Sequence, residues 1–474
     1  TIIDGEHILH NKLGIFINQF WAFDIYYKNK IDLRPQPFTK IEGIDVPADS
    51  KFRLTELDKA IKNLVLKPVV GEKLSMNFHV KTFYISNGPE IFKNCQLIIE
   101  RERQGLFSYE IDGMIFTPAD KGVGSDKVGE TLPPMKKTWR RSFKWKPPEF
   151  NTIDFLVTTK KTAAGKEFIG NIFQDGDNMN NLNQITQYKT LILRVGFDER
   201  KHGYINPCED VINDRLPTRQ HKDSNDAYKP VPFQPTDPAP TYPAYIANIV
   251  LKEVDGVKYM YTEDMKSVIE DETIVEFKYN QNDKKFWEWT PIRVRTKKTA
   301  EYKAGRRNYG NAYHVAQSIW KSIHNPVTED MITTGNNIPD QIVDDDVYYN
   351  RSGSTITKAL RDFHNLFVKR SLILGATSQG GTLIDMSVGK GGDFPKWIAA
   401  KLAFVLGLDI ARDNIENRLD GACARFLNYR KKFYSMPYAL FINANSGLNI
   451  RSGEACYTEK GKETKNRDNR ESRN

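Results

Sequence analysis

Four stretches of the chain set carboxylates and cations at the spacing of a strand. DGE (4–6) carries Asp4 and Glu6, and EIDG (110–113) carries Glu110 and Asp112 just before the apolar run MIF. FKWK (143–146) places Lys144 and Lys146 at i, i+2, so both project from one side of a strand. WEWTPIRVRTKK (287–298) repeats that spacing with Arg293 and Arg295, then adds Lys297 and Lys298. Carboxylates that hold a divalent cation, together with cations that hold phosphates, are the minimum equipment for phosphoryl or nucleotidyl transfer. Taken singly, each stretch is unspecific. An Asp-Gly is usually a turn, and a Lys-x-Lys strand is usually a solvated face.

A second constellation lies near the end. LIDMSVGKGGD (383–393) runs a strand into a glycine-rich turn that opens a helix. Glycines let the backbone approach a ligand and leave helix N–H groups for a carboxylate or phosphate. About twenty residues on, GLDIARDN (407–414) puts Asp409 at the end of the next strand, where a carboxylate can accept both hydroxyls of a ribose. GKGGD is not GxGxxG, so the loop suits S-adenosylmethionine better than a dinucleotide.

The elements that must position these groups follow from patterning. Residues 1–157 alternate strand-like apolar runs with loops, among them 14–27, 94–102 and 109–118, and 54–66 has helical periodicity through Leu57, Ile61 and Leu64. Strand signals continue over 158–300. There TIVEFKYN (273–280) and KFWEWTPIRVR (285–295) form a hairpin about the polar Asn280–Asp283 turn, and a small β-barrel is expected. Six prolines between Pro230 and Pro243 mark an extended loop. Residues 301–352 read as a polar connector with an acidic knot at Asp344, Asp345 and Asp346. From 353 to 474 strands alternate with helices, as in a doubly wound parallel sheet. Ile356, Leu360, Phe363 and Phe367 share one helical face, and Ile415, Leu419, Ala422 and Phe426 line a long helix over 411–432.

Composition bounds the class. The 474 residues are 39% hydrophobic and 27% charged, which excludes a wholly disordered chain, and no apolar run approaches the ~18 residues of a spanning helix. A net charge of +9 favours polyanionic partners such as RNA or nucleotides. Four dispersed cysteines make no CxxC pair and fit a reducing compartment, and the eight histidines do not cluster. Trp139, Trp145, Trp287 and Trp289 read as core or domain contacts rather than an RNA-stacking platform.

In order and spacing, DGE, FWAFDI (20–25), DGMIFTP (112–118), FKWKPPEFNTIDF (143–155) and WEWTPIRVR resemble the covalent nucleotidyltransferase superfamily of mRNA guanylyltransferases and polynucleotide ligases. KWKP followed by NTIDF points to the capping enzymes of large DNA viruses. LIDMSVGKGGDFPKW (383–397), with GLDIA after it and LRDFHNLFVKRSLI (360–373) before it, resembles cap guanine-N7 methyltransferases. The resemblance implies a multi-domain α/β and α+β chain. Its parts would be a ligase-type, ATP-grasp-like nucleotidyltransferase core (1–157), an OB-fold β-barrel (158–300), a linker (301–352) and a Rossmann-like methyltransferase domain (353–474), the first and last of them truncated.

The implied activity is mRNA 5′ capping. GMP passes from GTP to the 5′-diphosphate end of RNA, and the cap guanine is then methylated at N7 from S-adenosylmethionine. By the resemblance, Glu6 contacts ribose or metal, Phe23 stacks on guanine, and Asp112 coordinates Mg or Mn. Lys144 and Lys146 hold the α-phosphate, while Arg293, Arg295 and Lys298 orient the β and γ phosphates. Asn365 and Lys369 approach the methionine end of the cofactor, Asp385 and Gly389 line it, Asp409 holds its ribose, and Asn445 stands at the adenine contact. The implied partners are the RNA 5′ end, GTP and a viral stimulatory subunit, with no membrane, in host cytoplasm (a viral factory) or the virion. Three departures stand out. No KxDG motif is present, so the nucleophilic lysine is expected upstream of Thr1. Lys297 replaces an acid in the RxRxDK pattern. Asn445 stands where many members have an acid before a Ser. The alternatives are an ATP-dependent polynucleotide ligase and a non-catalytic RNA-binding fragment.

Overall fold

A computed structural model describes residues 1–43, 48–65, 76–131, 139, 141–173, 185–217, 228–338 and 357–457. The first unit is built on a long hairpin. Ile2–His10 runs antiparallel to Phe16–Lys28, and the latter also pairs with Ile31–Asp32 and, in parallel, with Asn77–Val80. Ala22 and Ile25 turn inward and meet Leu57 of the helix Arg53–Lys62. That helix ends four residues before 66, and Leu64 lies beyond it, exposed.

Residues 94–102, expected to be strand-like, form the middle of a helix, Glu90–Arg103. Cys95 and Ile99, four apart, pack on Met114 and Trp145. The helical period of those apolar positions, set among Gln, Glu and Arg, outweighs the local run of Leu97, Ile98 and Ile99. The short antiparallel pair Met114–Phe116 and Phe143–Trp145 lies beside it.

A nine-stranded, barrel-like sheet follows. Its main path is Val268–Ile269, Val257–Tyr261, Ile246–Val254, Ile185–Asp198, Thr152–Thr159, Thr273–Tyr279 and Trp289–Val294. Ile169–Phe173 and Tyr228–Pro232 also pair with Ile185–Asp198. Alternate residues fill its core, among them Phe155, Leu193, Val195, Phe277 and Trp289. The 157/158 boundary read from the sequence falls inside Thr152–Thr159, a strand of this sheet. The expected hairpin joins Thr273–Tyr279 to Trp289–Val294. The start of the proline-rich stretch is not loop: Pro230 and Pro232 lie in the strand Tyr228–Pro232, which pairs on one side only, where a missing N–H is tolerated.

The described part of the expected connector is helical and packed. Tyr313, Ala316 and Trp320 of the helix Tyr313–His324, at spacings of three and four, enter the barrel core, where Trp320 is fully buried. The helix Glu329–Thr334 then docks on Glu90–Arg103. Arg103 lies 2.8 Å from Glu329, and Trp145 Nε1 donates to the Val327 carbonyl at 2.6 Å. Asp344–Asp346 lie outside the described residues.

The last unit is an all-parallel three-stranded sheet, Thr382–Asp385, Phe404–Asp409 and Tyr438–Asn443, in that order. The long helix expected over 411–432 is broken into Arg412–Glu416 and Ala422–Lys432. Asn417 Oδ1 accepts the Leu419 and Asp420 N–H groups, an alternative to helical pairing, and Gly421 restarts the chain. Leu419 is therefore exposed, while Ile415, Ala422 and Phe426 are buried. Residues 358–376 are helical with a π turn at His364–Val368, but Leu360, Phe363 and Phe367 face outward rather than into a core. Ile356 lies outside the described residues.

The barrel and this sheet unit interlock. Tyr204 and Val211 join the core beneath the parallel sheet. Arg418 donates to the Gln234 carbonyl at 2.8 Å and lies over the rings of Phe197 and Tyr313. No helix among the described residues is long and apolar enough to cross a membrane.

Candidate functional site

Asp112, Lys144 and Lys146 meet. Gly113 follows Asp112 at φ +140°, and a Cβ there would lie 1.9 Å from the Trp145 carbonyl oxygen, so only glycine lets the two segments approach this closely. The approach brings Lys144 Nζ to 2.8 Å and Lys146 Nζ to 3.1 Å of one oxygen, Asp112 Oδ2. Burial opposes ionisation of this carboxyl, but the two ammonium groups outweigh it and hold it below the usual carboxylate range. All three side chains are partly exposed, and a phosphate could exchange with the carboxylate for the same cations.

Glu6 and Phe23 join this region through Lys81 and Tyr109. Lys81 Nζ binds Glu6 Oε2 at 2.7 Å and lies 5.8 Å from the centroids of both the Phe23 and Tyr109 rings. Trp21 stacks on His79 and tilts against Tyr109, which stands three residues before Asp112. The result is a half-buried aromatic wall with one cation and one carboxylate at its rim. Lys81 was missed by sequence reasoning: a lone lysine at the end of HVK carries no spacing signal.

Arg293, Arg295 and Lys298 form a separate group on the barrel. Glu276 Oε2 receives Arg293 Nη2 at 2.6 Å and Arg295 Nη1 at 3.2 Å. Asp154 Oδ2 receives Lys298 Nζ at 2.5 Å, with Arg295 Nε at 3.4 Å. Burial works against the Glu276 charge, yet the Thr152 hydroxyl and the arginines hold it ionised below its ordinary range. NTIDF was read as a motif, but the role of its Asp154 was not. Lys297 is exposed and lies on the helix Thr296–Lys303.

In the last unit the glycine turn is closed onto Asp409. Gly389 N–H donates to Asp409 Oδ2 at 2.8 Å, while Oδ1 accepts Ala411 N–H and the Asn414 amide. Lys369 Nζ lies 3.2 Å from Asp393 Oδ2. Lys396 Nζ binds Asp393 Oδ1 at 2.6 Å and Asn365 Oδ1 at 2.7 Å. Asn365 and Lys369 are thus tied to the loop through Asp393 and Lys396, two buried residues that spacing alone did not single out. Burial, with Asp393 and Asp409 nearby, pushes the Asp385 carboxyl up. Asn445 closes the turn after the last strand, its Oδ1 accepting the Gly447 N–H at 2.9 Å.

The residues fit the two implied ligands to different degrees. A Cβ built on Gly389 or Gly392 meets nothing within 4 Å, so open space lies beside Asp385 and Asp409 where a cofactor could rest. Among the described residues no group of three or more His, Cys, Asp or Glu could hold a metal ion. Asp112 alone suits Mg or Mn only if substrate phosphates complete the coordination, as is usual for Mg.

The fold and these clusters define a multi-unit α/β protein with a carboxylate–lysine cluster beside an aromatic wall and a separate glycine turn closed onto Asp409. The chain is similar to mRNA-capping enzymes of large DNA viruses, the resemblance its motifs carry. It is 28% identical, over an alignment 511 positions long, to a probable mRNA-capping enzyme of Acanthamoeba polyphaga mimivirus, covering 94% of this chain and 38% of that protein. It is 22% identical to the mRNA-capping enzyme of African swine fever virus (isolate Pig/Kenya/KEN-50/1950), over 86% of this chain and 38% of that one. The chain thus spans well under half the length of these curated relatives. No family model matches it.

Proposed function

We propose that the chain works in mRNA 5′ capping, contributing the GTP-binding part of a guanylyltransferase and the cofactor-binding half of a cap guanine-N7 methyltransferase. The observation that carries this reading is the convergence of Lys144 and Lys146 on Asp112 beside the Phe23–Lys81–Tyr109 wall. In this reading the wall takes guanine, Glu6 takes the ribose, and the two lysines take the α-phosphate. As the bond to pyrophosphate breaks, charge builds on the phosphate oxygens, and preorganised ammonium groups lower that barrier. Arg293, Arg295 and Lys298 orient the leaving pyrophosphate when the barrel approaches, which also excludes water. Asp112, together with the nucleotide phosphates, would hold Mg or Mn, which would neutralise phosphate charge when bound. Residues 1–474 contain no KxDG motif, and the reading takes the nucleophile from outside them.

For the second step, Asp409 would accept the ribose hydroxyls of the cofactor in exchange for the Gly389 N–H, and Asp385 with the open side of the glycine turn would seat the rest of it. S-adenosylmethionine supplies the methyl group when bound. The chain's contribution is alignment rather than covalent chemistry.

Calorimetric titration tests both parts. GTP is expected to bind in preference to ATP, with Lys144→Ala and Lys146→Ala each weakening it about tenfold. Preference for ATP would turn the reading toward a polynucleotide ligase. S-adenosylmethionine is expected to bind the unchanged chain and to lose affinity in Asp409→Ala, and equal heats would remove the cofactor site.

A further inference from the structure

Beyond Phe116 the chain leaves its strand through Thr117 and turns over Lys121–Ser125. The segment that returns to the paired strand carries Trp139, Arg141 and Ser142. These residues line a narrow cleft open to solvent, with enclosed room for about one water molecule. The floor is fixed from beneath by Arg53, which is 2% exposed. It donates to Asp24 through Nε at 2.8 Å and Nη2 at 3.1 Å, and to the Lys121 carbonyl at 3.0 Å. Gly122 packs so closely that a Cβ would lie 1.9 Å from the Glu130 carbonyl oxygen, and Val123 N–H donates to the Arg34 carbonyl. The loop is therefore held in place before any ligand arrives.

The rim is basic and aromatic. Lys121 pairs with its neighbour Asp120, and Arg141 lies 3.5 Å from Asp126 with 63% of its side chain exposed. The exposed Arg141–Asp126 pair contributes only about 0–1 kcal/mol, so a phosphate can replace its carboxylate, whereas Lys121 and Asp120 are about three-quarters buried and hold the inner side of the rim. Trp139 is 40% exposed, whereas Trp145, Trp289, Trp320 and Trp397 are all buried. Of the core-or-domain-contact reading, the core half therefore does not hold for Trp139. An indole presented at the mouth of a narrow basic cleft suits a base stacked outside and a phosphate oxygen within. Ser142 stands two residues before Lys144 on the same segment, about 7 Å along an extended chain, so the cleft continues the Asp112–Lys144–Lys146 row.

We propose that this cleft holds the acceptor RNA as a single strand, with a backbone phosphate between Lys121 and Arg141 and a base against Trp139. The proposal rests on the capping reading for the identity of the acceptor. Hydroxyls of Thr117 and Ser142 at the lining add neutral donors without selecting a base, so sequence tolerance is expected.

Fluorescence anisotropy with a short single-stranded RNA bearing a 5′-diphosphate tests the site, and GTP calorimetry on the same variants serves as the control. Trp139→Ala should weaken RNA binding roughly five- to a hundredfold, while Trp139→Phe keeps most of it. Arg141→Gln, on an exposed side chain that the fold does not need, should weaken RNA binding and lower the slope of log K against log salt by about 0.7. GTP affinity should stay unchanged throughout. RNA binding as tight in Trp139→Ala and Arg141→Gln as in the unchanged chain would overturn the site while leaving the GTP reading intact. Absence of GTP binding together with loss of RNA binding on Trp139→Ala would overturn the capping reading and leave the cleft standing.

Discussion

Lys298 Nζ lies 2.5 Å from Asp154 Oδ2, joining the helix that leaves the barrel to the strand Thr152–Thr159, 144 positions earlier. Arg295 reaches the same oxygen at 3.4 Å. Two of the barrel cations are therefore held by an internal carboxylate. Asp154→Asn removes that charge. Because Lys298 and Arg295 are each about a third exposed, the expected cost after solvent screening is about 1 kcal/mol, read as a lower urea midpoint that converges with the unchanged chain at high salt. An unaltered midpoint at low salt would show that the pair contributes nothing.

Gly113→Ala should disable the Asp112 site without unfolding the barrel. The new Cβ would meet the Trp145 carbonyl at 1.9 Å, with φ at +140°, so the Met114–Phe116 and Phe143–Trp145 strands must part. GTP affinity should fall at least as far as in Lys144→Ala, with the far-ultraviolet circular dichroism little changed. Normal GTP binding in this variant would separate the glycine from the site.

Asp393 and Lys396 form a buried ion pair, each side chain no more than about a tenth exposed. Burial raises the cost of the Asp393 charge, but Lys396 and Lys369 keep the carboxyl ionised below its ordinary range. Asp393→Ala leaves the buried Lys396 charge without a counter-ion, with Asn365 Oδ1 as its remaining partner, and should cost about 3 to 5 kcal/mol in denaturant unfolding. The double variant Asp393→Leu with Lys396→Met should recover most of that loss. A single variant as stable as the parent would mean that Lys396 finds water or another acceptor.

His202 should make stability depend on mildly acidic pH. Burial, then the neighbouring His314, push its pKa below the ordinary 6.5, with Lys201 and Arg418 adding to that and Asp198 opposing it. The unfolded chain takes up this proton first, so the contribution is fully present above about pH 6.5 and is lost as pH falls. His202→Asn should flatten the slope of Tm against pH between about 7.5 and 5.5. An identical slope would assign the dependence to other groups.

What the sequence reveals depends on how local the signal is. The Thr273–Tyr279 and Trp289–Val294 hairpin is legible because alternation and a polar turn coincide, and the glycine turn because strand, loop, helix and Asp409 stand in register. Asp112 with Lys144 and Lys146 is legible from an Asp-Gly and an i, i+2 pair. Lys81 is not, because it meets Glu6 only through a parallel strand pairing seventy-five positions away. The Tyr313–His324 helix was hidden by its polar flanks, although Tyr313, Ala316 and Trp320 carry the helical period. The break at Asn417 required a side-chain-to-backbone bond that periodicity does not report. Trp139 and Arg141 depend on a cleft that only the folded chain assembles.

The seat of Arg418 has a consequence for biosynthesis. Phe197, Gln234 and Tyr313 all leave the ribosome before the arginine that inserts among them. If domains fold as they emerge, the barrel is a finished socket when the parallel sheet is translated, and assembly of the two runs in one direction.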